Sequence, residues 1–358
     1  MERRTERNRP GYLQGGNRPG EYEMIRKRVT MGDVARELGV STVSVSKALT
    51  GKEGVSEAVR EMIIKKADEM GYRYTGSKKD NSEEKHNIGI FVSERFIARD
   101  AYYSRLYEKT MLMLSEQKQM GMLEIIRREM EKEYQVPALI SSGQVEGAII
   151  LGQMSKEYLR LFKDCEIPLL FMDFYDEEVF EDSVISDSVF GSDILTNYLI
   201  KKGHKRIAFV GSITSTSSIM DRYIGYYRAM LNAGLEIKNE WRIEDRDDEG
   251  ERIRFDLPED MPTAFVCNSD ATAFDLVKRL QKDGLRVPED VSVVAFDNFI
   301  YAEMSSPKIT TYGVDTDLLA RTAIRIILDK LADPAYSVGR VLVAGTLIER
   351  KSVMPLQE

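Results

Sequence analysis

Histidine and cysteine are almost missing from this 358-residue chain, which has two of each: His86, His204, Cys165 and Cys267. Two imidazoles leave little room for a His-rich metal site or a His-based catalytic triad. Both cysteines lie in apolar runs and read as buried thiols rather than a disulfide. No run approaches the roughly 18 apolar residues that a membrane span needs. The N-terminus also lacks a signal-peptide core, so a cytoplasmic protein with no membrane partner is expected. The chain has no G-x-G-x-x-G, no P-loop and no nucleophile elbow, so neither an enzyme nor a cofactor is expected.

Charge is present but unevenly spread. The net charge is −8, yet residues 1–74 hold 15 Lys/Arg against 11 Asp/Glu (+4), and residues 75–358 hold 36 against 48 (−12). A mildly basic head on an acidic body fits nucleic-acid contact confined to the head. The length implies two to three folding units.

Residues 29–74 carry the densest local signals. Met31, Val34, Ala35 and Leu38 fall on one helical face. Thr30 stands at the N-cap with Asp33 in the first turn, and Gly39 stops the helix. Ser41 opens a second helix that turns Val45, Ala48 and Leu49 inward and leaves Thr42, Val43, Ser46 and Lys47 outward. Ser56 caps a third, with Val59, Met62, Ile63, Ala67 and Met70 on one face and Gly71 at its end. The spacing of Ala35, Gly39 and Val45 is that of a helix-turn-helix. A three-helix bundle with no DNA role is the plainer alternative.

Thr30, Asp33, Val34, Ala35, Gly39, Val40, Ser41, Val45, Ser46, Leu49, Gly51, Val55, Ser56, Arg60, Gly71 and Tyr72 together make this stretch resemble the DNA-binding headpiece of the lactose-repressor/galactose-repressor (LacI/GalR) family. The resemblance implies a sequence-specific transcription regulator, most often a repressor. It would work as a homodimer on a near-palindromic double-stranded operator, because one helix reads too few base pairs. By that resemblance Thr42 and Val43 take the base-reading positions. Lys47 stands where Arg is common, and Ser41, Ser44, Ser46 and Thr50 are candidates for phosphate contacts, with Thr30 completing the set. A cap or a solvated hydroxyl is the alternative for each single Ser or Thr.

Residues 1–28 hold early arginines, glycines and prolines with little apolar periodicity and read as a disordered basic tail, with Met24 an alternative start. Residues 75–87 (TGSKKDNSEEKHN) read as a linker. The family's hinge helix carries a Leu that pries open the minor groove. Here Thr75, Lys78 and Asn81 occupy the corresponding region and supply no apolar wedge, so less DNA kinking is expected. A sharp central kink in a bend-angle measurement would refute that.

From residue 88 onward, apolar runs at 88, 122, 147, 168, 206, 263, 291 and 309 alternate with helical stretches near 102–119, 131–141, 155–164, 189–202, 217–233, 270–283 and 315–331. Continuous apolar strands alternating with helices mean α/β architecture with parallel sheets covered on both faces, and the length calls for two lobes. The segments 182–212, 268–274, 287–298, 309–323 and 347–353 resemble the same family, whose two-lobed core is like a periplasmic binding protein. The expected division is lobe 1 at about 88–185 and 314–343, and lobe 2 at about 186–313 and 344–358, with crossings near Ile185, Gly313 and Val343.

Ligands of such folds sit at the carboxyl ends of strands, here between lobes. By resemblance, Tyr102, Tyr103, Ser218, Arg222 and Asp270 would contact a small-molecule effector expected to be sugar-like, since an aromatic face suits a pyranose and a guanidinium can bridge hydroxyls. Core tyrosines, a surface arginine and an N-capping aspartate are the alternatives. Val314 is apolar where relatives place a polar ligand contact, and residues 241–262 are charged and irregular. A solute-binding protein, an enzyme, and a regulator with a vestigial cleft controlled by a partner protein or by nothing are the competing readings.

Overall fold

The computed structural model describes residues 29–49, 54–70, 72, 85–97, 101–248 and 250–356. The expected tail 1–28, most of the linker 75–87, Thr50 and Gly71 lie outside the described residues. The chain divides into two compact units, residues 1–82 and 83–358.

The first unit contains helices α1 (Met31–Leu38), α2 (Thr42–Leu49) and α3 (Glu57–Glu69). Thr30 and Asp33 close a capping box: the Asp33 amide donates to Thr30 Oγ1 (3.3 Å), and the Thr30 amide donates to Asp33 Oδ2 (3.0 Å). Gly39, at φ 64°, makes the left-handed turn to α2, a conformation that costs a side-chain-bearing residue. Ser41 Oγ accepts the Ser44 amide at 3.1 Å and so caps α2. Val34, Ala35, Val45, Ala48, Ile63 and Ala67 are buried together where the helices meet. Full burial of an aliphatic side chain such as Val45 stabilises by about 1.5–3 kcal/mol. Two expectations fail here. Met62 is 42 % exposed, because Ile63 and Ala67 centre the inward face of α3 and leave Met62 on its flank. Ser56 stands at the N-cap of α3 but its side chain makes no capping hydrogen bond.

The second unit begins with β1 (Asn87–Ser93), α4 (Glu94–Ile97), α5 (Ala101–Glu116), β2 (Met120–Ile126), α6 (Arg128–Lys132), α7 (Ala138–Ser141), β3 (Gly147–Leu151), α8 (Lys156–Lys163), β4 (Leu169–Met172) and β5 (Ser183–Ser186). It continues with α9 (Ser188–Lys201), β6 (Ile207–Val210), α10 (Ser217–Asn232), β7 (Arg242–Ile243), β8 (Ala264–Cys267), α11 (Asp270–Lys282), β9 (Ser292–Asp297), α12 (Ile300–Met304) and β10 (Thr310–Gly313). The chain closes through α13 (Thr316–Ala332), β11 (Arg340–Val343) and β12 (Thr346–Ile348).

The strands form two six-stranded sheets, ordered β11-β5-β4-β3-β1-β2 and β12-β10-β9-β8-β6-β7. All pairings are parallel except β10 with β12. The chain changes sheet after β5, after β10 and again after β11. Both faces of each sheet are buried. In β1, Ile90 and Val92 pack into one cluster and Phe91 into the other; in β6, Ala208 and Val210 pack on one side, Ile207 and Phe209 on the opposite. This is why the strands read as unbroken apolar runs.

The stretch 131–141 is not one helix. It breaks into α6 and α7, because Tyr134 takes a left-handed φ of 55° and Pro137 precedes α7. Strands β5, β7 and β11 lack a long apolar run and were not among the expected strands; β5 reads SVIS, yet all four residues are buried. Helices α9 and α10 cross at Gly225, where a Cβ would stand 2.2 Å from the Val189 carbonyl oxygen.

Candidate nucleic-acid interface and effector cleft

The N-terminal end of α2 is open. Ser41, Thr42 and Val43 are exposed, Val43 by 61 %. Ser44, Ser46 and Lys47 are half-buried, and the Ser44 hydroxyl is within 2.9 Å of that of Ser41. Thr30 is exposed, but its hydroxyl donates to Asp33 at 2.6 Å, so capping is its observed role. The opposite end of α2 is held from α3. Arg60 Nη1 donates to the carbonyls of Lys47 (3.3 Å) and Ala48 (3.0 Å), a cation on the negative end of the helix dipole. This arginine was legible only as a matching residue, because its partners lie 12 and 13 positions away.

In the second unit, Tyr102, Tyr103 and Arg222 come together at the carboxyl ends of strands from both sheets. Tyr102 and Tyr103 are buried edge to face, 5.3 Å apart, and the Tyr102 hydroxyl donates to Asp173 Oδ1 at 3.1 Å, just beyond β4. Arg222, 6 % exposed, pairs through Nη2 with Asp297 Oδ1 at 3.1 Å, donates through Nη1 to the Asn268 carbonyl, and lies 4.0 Å over the Phe296 ring. Burial works against the guanidinium charge, but Asp297 and Asp173 more than offset it and raise the Arg222 pKa. Burial, with Asp173 and Asp297 adding to it, pushes the Tyr102 hydroxyl well up, so the phenol stays neutral.

Ser218 and Asp270 border this cluster: Ser218 shares a crevice with Asp173, and the Arg222 charge acts on Asp270. The Ser218 hydroxyl is 3.1 Å from that of Thr216, and Ser218 lines a narrow crevice with Asp173 and Asp221. Asp270 opens α11 but does not cap it: Ser269 does, accepting the Thr272 amide at 3.2 Å. Both Asp270 oxygens serve the protein itself, one accepting the Phe299 amide, the other the Thr311 hydroxyl at 2.7 Å. Burial pushes its carboxyl up to about 7, with those two hydrogen bonds pulling the other way. Val314 packs against the clusters of both sheets, which accounts for an apolar residue there.

The model for bacterial regulatory proteins of the lacI family matches residues 30–74, and that for a periplasmic binding protein-like domain matches residues 196–353. An HTH-type transcriptional repressor PurR from Vibrio parahaemolyticus serotype O3:K6 is 30% identical over 336 residues, covering 91% of this chain and 99% of the relative. The chain belongs to the LacI family. Two solved members of similar fold are a CelR–cellobiose complex (23% identity, TM-score 0.66, 91% of this chain and 100% of that one) and a lac repressor dimer bound to operator and the anti-inducer ONPF (22%, TM-score 0.64, 92% and 100%).

This LacI-family chain is therefore a DNA-binding transcription regulator, and its cleft contains residues that sequence reasoning passed over. Asp173 and Asp297 follow β4 and end β9, the positions where ligands of parallel sheets are bound. Both have positive φ values, 67° and 113°. The rule that points to strand ends would have found them.

Proposed function

We propose that α2 reads a near-palindromic operator through Thr42 and Val43, as a homodimer in the cytoplasm, and that a small molecule in the cleft sets the affinity for that operator. The observation that carries the DNA half is the bare start of α2, capped by Ser41 and anchored at its far end by Arg60, so that Thr42 and Val43 are exposed on a fixed helix. Thr42 can exchange one hydrogen bond with a base edge, and Val43 can touch a thymine methyl. Ser41, Ser46, Lys47 and Thr50 are assigned to phosphates, with Ser44 supporting the cap; these contacts set register and salt dependence.

The cluster of Tyr102, Tyr103 and Arg222 supports the effector half. It gathers aromatic and guanidinium groups from both sheets at strand ends, as a binding site for a polar metabolite does. A ligand regulates only by favouring one conformation of the regulator over another. The vestigial-cleft reading draws on one observation: Asp297 already neutralises Arg222 from within.

Selection of binding sites from random DNA with the whole protein tests the first half. A two-fold repeat is expected, and exchanging Thr42 or Val43 should alter preference at one or two positions per half-site, by about 1–3 kcal/mol each. Sites with no repeat, or preferences indifferent to both residues, would overturn it. The second half requires that a compound binding the core also changes operator affinity.

A further inference from the structure

We propose that the effector of this regulator is phosphorylated, and that its phosphate is held by Arg95 and Arg246 in a basic cavity beside the Tyr103–Arg222 cluster. This rests on the effector reading above and gives that effector its chemical class.

The cavity has a volume of about 570 Å3. That is room for a sugar- or nucleotide-sized metabolite. Its lining carries seven lysines and arginines against two carboxylates, Glu251 and Asp275, in a region (residues 75–358) whose overall charge is −12. The two carboxylates are already engaged: Asp275 is 3.3 Å from Arg252, and Glu251 is 3.2 Å from Arg128. Nor does Asp245 neutralise Arg246 fully. It stands 3.8 Å from the guanidinium but spends its oxygens on the Ser212 amide, Asn268 and Thr272.

Arg95 and Arg246 come from opposite sides. Arg95 follows β1 of the first sheet, and Arg246 follows β7 of the second. The loop from Arg246 comes against Arg95 at Gly250, where a Cβ would stand 3.3 Å from Arg95 Nη1. Each arginine has its Nε buried with no hydrogen-bond partner among the described residues. Arg95 uses another nitrogen for the Gln153 carbonyl, and Arg246 Nη1 reaches the Gly250 carbonyl only at 3.4 Å. A buried donor without an acceptor costs free energy that an anion would recover. Burial lowers the Arg95 pKa; Glu131 and Tyr103 oppose that, and Arg246 and Arg128 add to the lowering.

Two helix ends reinforce the field. Thr216 and Ser269, the N-caps of the 16-residue α10 and the 13-residue α11, both line the cavity. Each N-terminus presents positive dipole charge to an anion. The remaining wall is apolar. Phe96 and Phe255 line it, and Phe96 lies 4.4 Å from Tyr103, which makes the cavity continuous with the tyrosine cluster. A phosphate on the arginines thus leaves the body of the ligand against aromatic faces, and charge-assisted Arg–phosphate contacts are the strong ones.

Isothermal titration of the full chain against glucose 6-phosphate, glucose, AMP, adenosine and inorganic phosphate tests this. At least one ester is expected to bind tenfold or more tightly than its own unphosphorylated form. Arg95→Gln and Arg246→Gln are each expected to weaken that ester by about 10- to 100-fold. Arg246→Lys should keep part of the affinity, and Lys351→Ala, at an exposed site outside the cavity, should keep all of it. Trp241 fluorescence shows that each variant is folded. Which ester wins separates a sugar phosphate from a nucleotide, and inorganic phosphate binding as tightly as either would overturn a role for the ligand body. A neutral sugar or nucleoside that matches its ester overturns the phosphate proposal and leaves the effector reading standing. If no compound binds up to roughly 1 mM and none alters operator affinity, both fall.

Discussion

Arg222→Met removes a buried cation and leaves its partner in place. Arg222 and Asp297 side chains are 7 % and 11 % exposed and 3.1 Å apart, so their attraction is little screened by water. Methionine retains the apolar contact with Phe296 but removes the cation that faces Asp297, with Asp173 close enough to have influenced Arg222. Breaking a buried pair in this way costs about 3–5 kcal/mol, more than the pair itself stabilises, because the remaining charge loses that cation and cannot recover water. Adding Asp297→Asn removes that charge, so the double variant is expected within about 1–2 kcal/mol of the parent. Urea unfolding followed by fluorescence of Trp241 measures this. Trp241 is the only tryptophan in the chain and is 2 % exposed in the core of the same sheet. The midpoint should drop at constant slope for the single variant and recover in the double. A single variant costing under about 1 kcal/mol, or a double variant as unstable as the two singles summed, would refute the assignment of Arg222 as a charge clamped by Asp297.

Other perturbations test neighbouring elements. Arg60→Ala deletes two charge-assisted hydrogen bonds at the end of α2 and is expected to destabilise the first unit by about 1.5–3 kcal/mol, visible as an earlier thermal transition in far-ultraviolet circular dichroism; an unchanged transition would contradict the anchoring role. Asp270, with its carboxyl near pH 7 when folded and about 3.9 when unfolded, holds a proton that the unfolded chain has released, so its contribution is full below about pH 4 and is lost as the pH rises toward 7. Asp270→Asn is therefore expected to gain stability relative to the parent as the pH rises from about 4 to about 7, and curves that remain parallel across that window would count against a raised pKa. Gly225→Ala forces a Cβ onto the Val189 carbonyl, and a cost of about 1–3 kcal/mol in the urea assay is expected; a neutral result would mean that α9 and α10 can separate without penalty.

The parts of this protein that were legible in the sequence are those governed by near neighbours. Thr30, Gly39 and Ser41 set the ends of α1 and α2 through hydrogen bonds and backbone angles within three or four residues, so their types and spacing were enough. The long parallel strands were legible because burial on both faces leaves an unbroken apolar run, as in β1 and β3. Membership of the family was written in residues 30–74 for the same reason.

What only the tertiary structure decided depends on residues far apart in the chain. Strand β5 looks too polar to be buried until β4 and β11 flank it, and Met62 looks apolar enough for the core until Ile63 takes the centre of the helix face. Arg222 was visible, but not Asp297, Phe296 and Asn268, which fix its charge state and orientation. Arg95 and Arg246 carry no shared signal in sequence, being separated by the whole of α5 to β7, and the acidic total of the second unit conceals them. Composition averages charge over the chain, whereas the field at a cavity falls off within a few ångströms to a Debye length, so only the fold determines which charges act together.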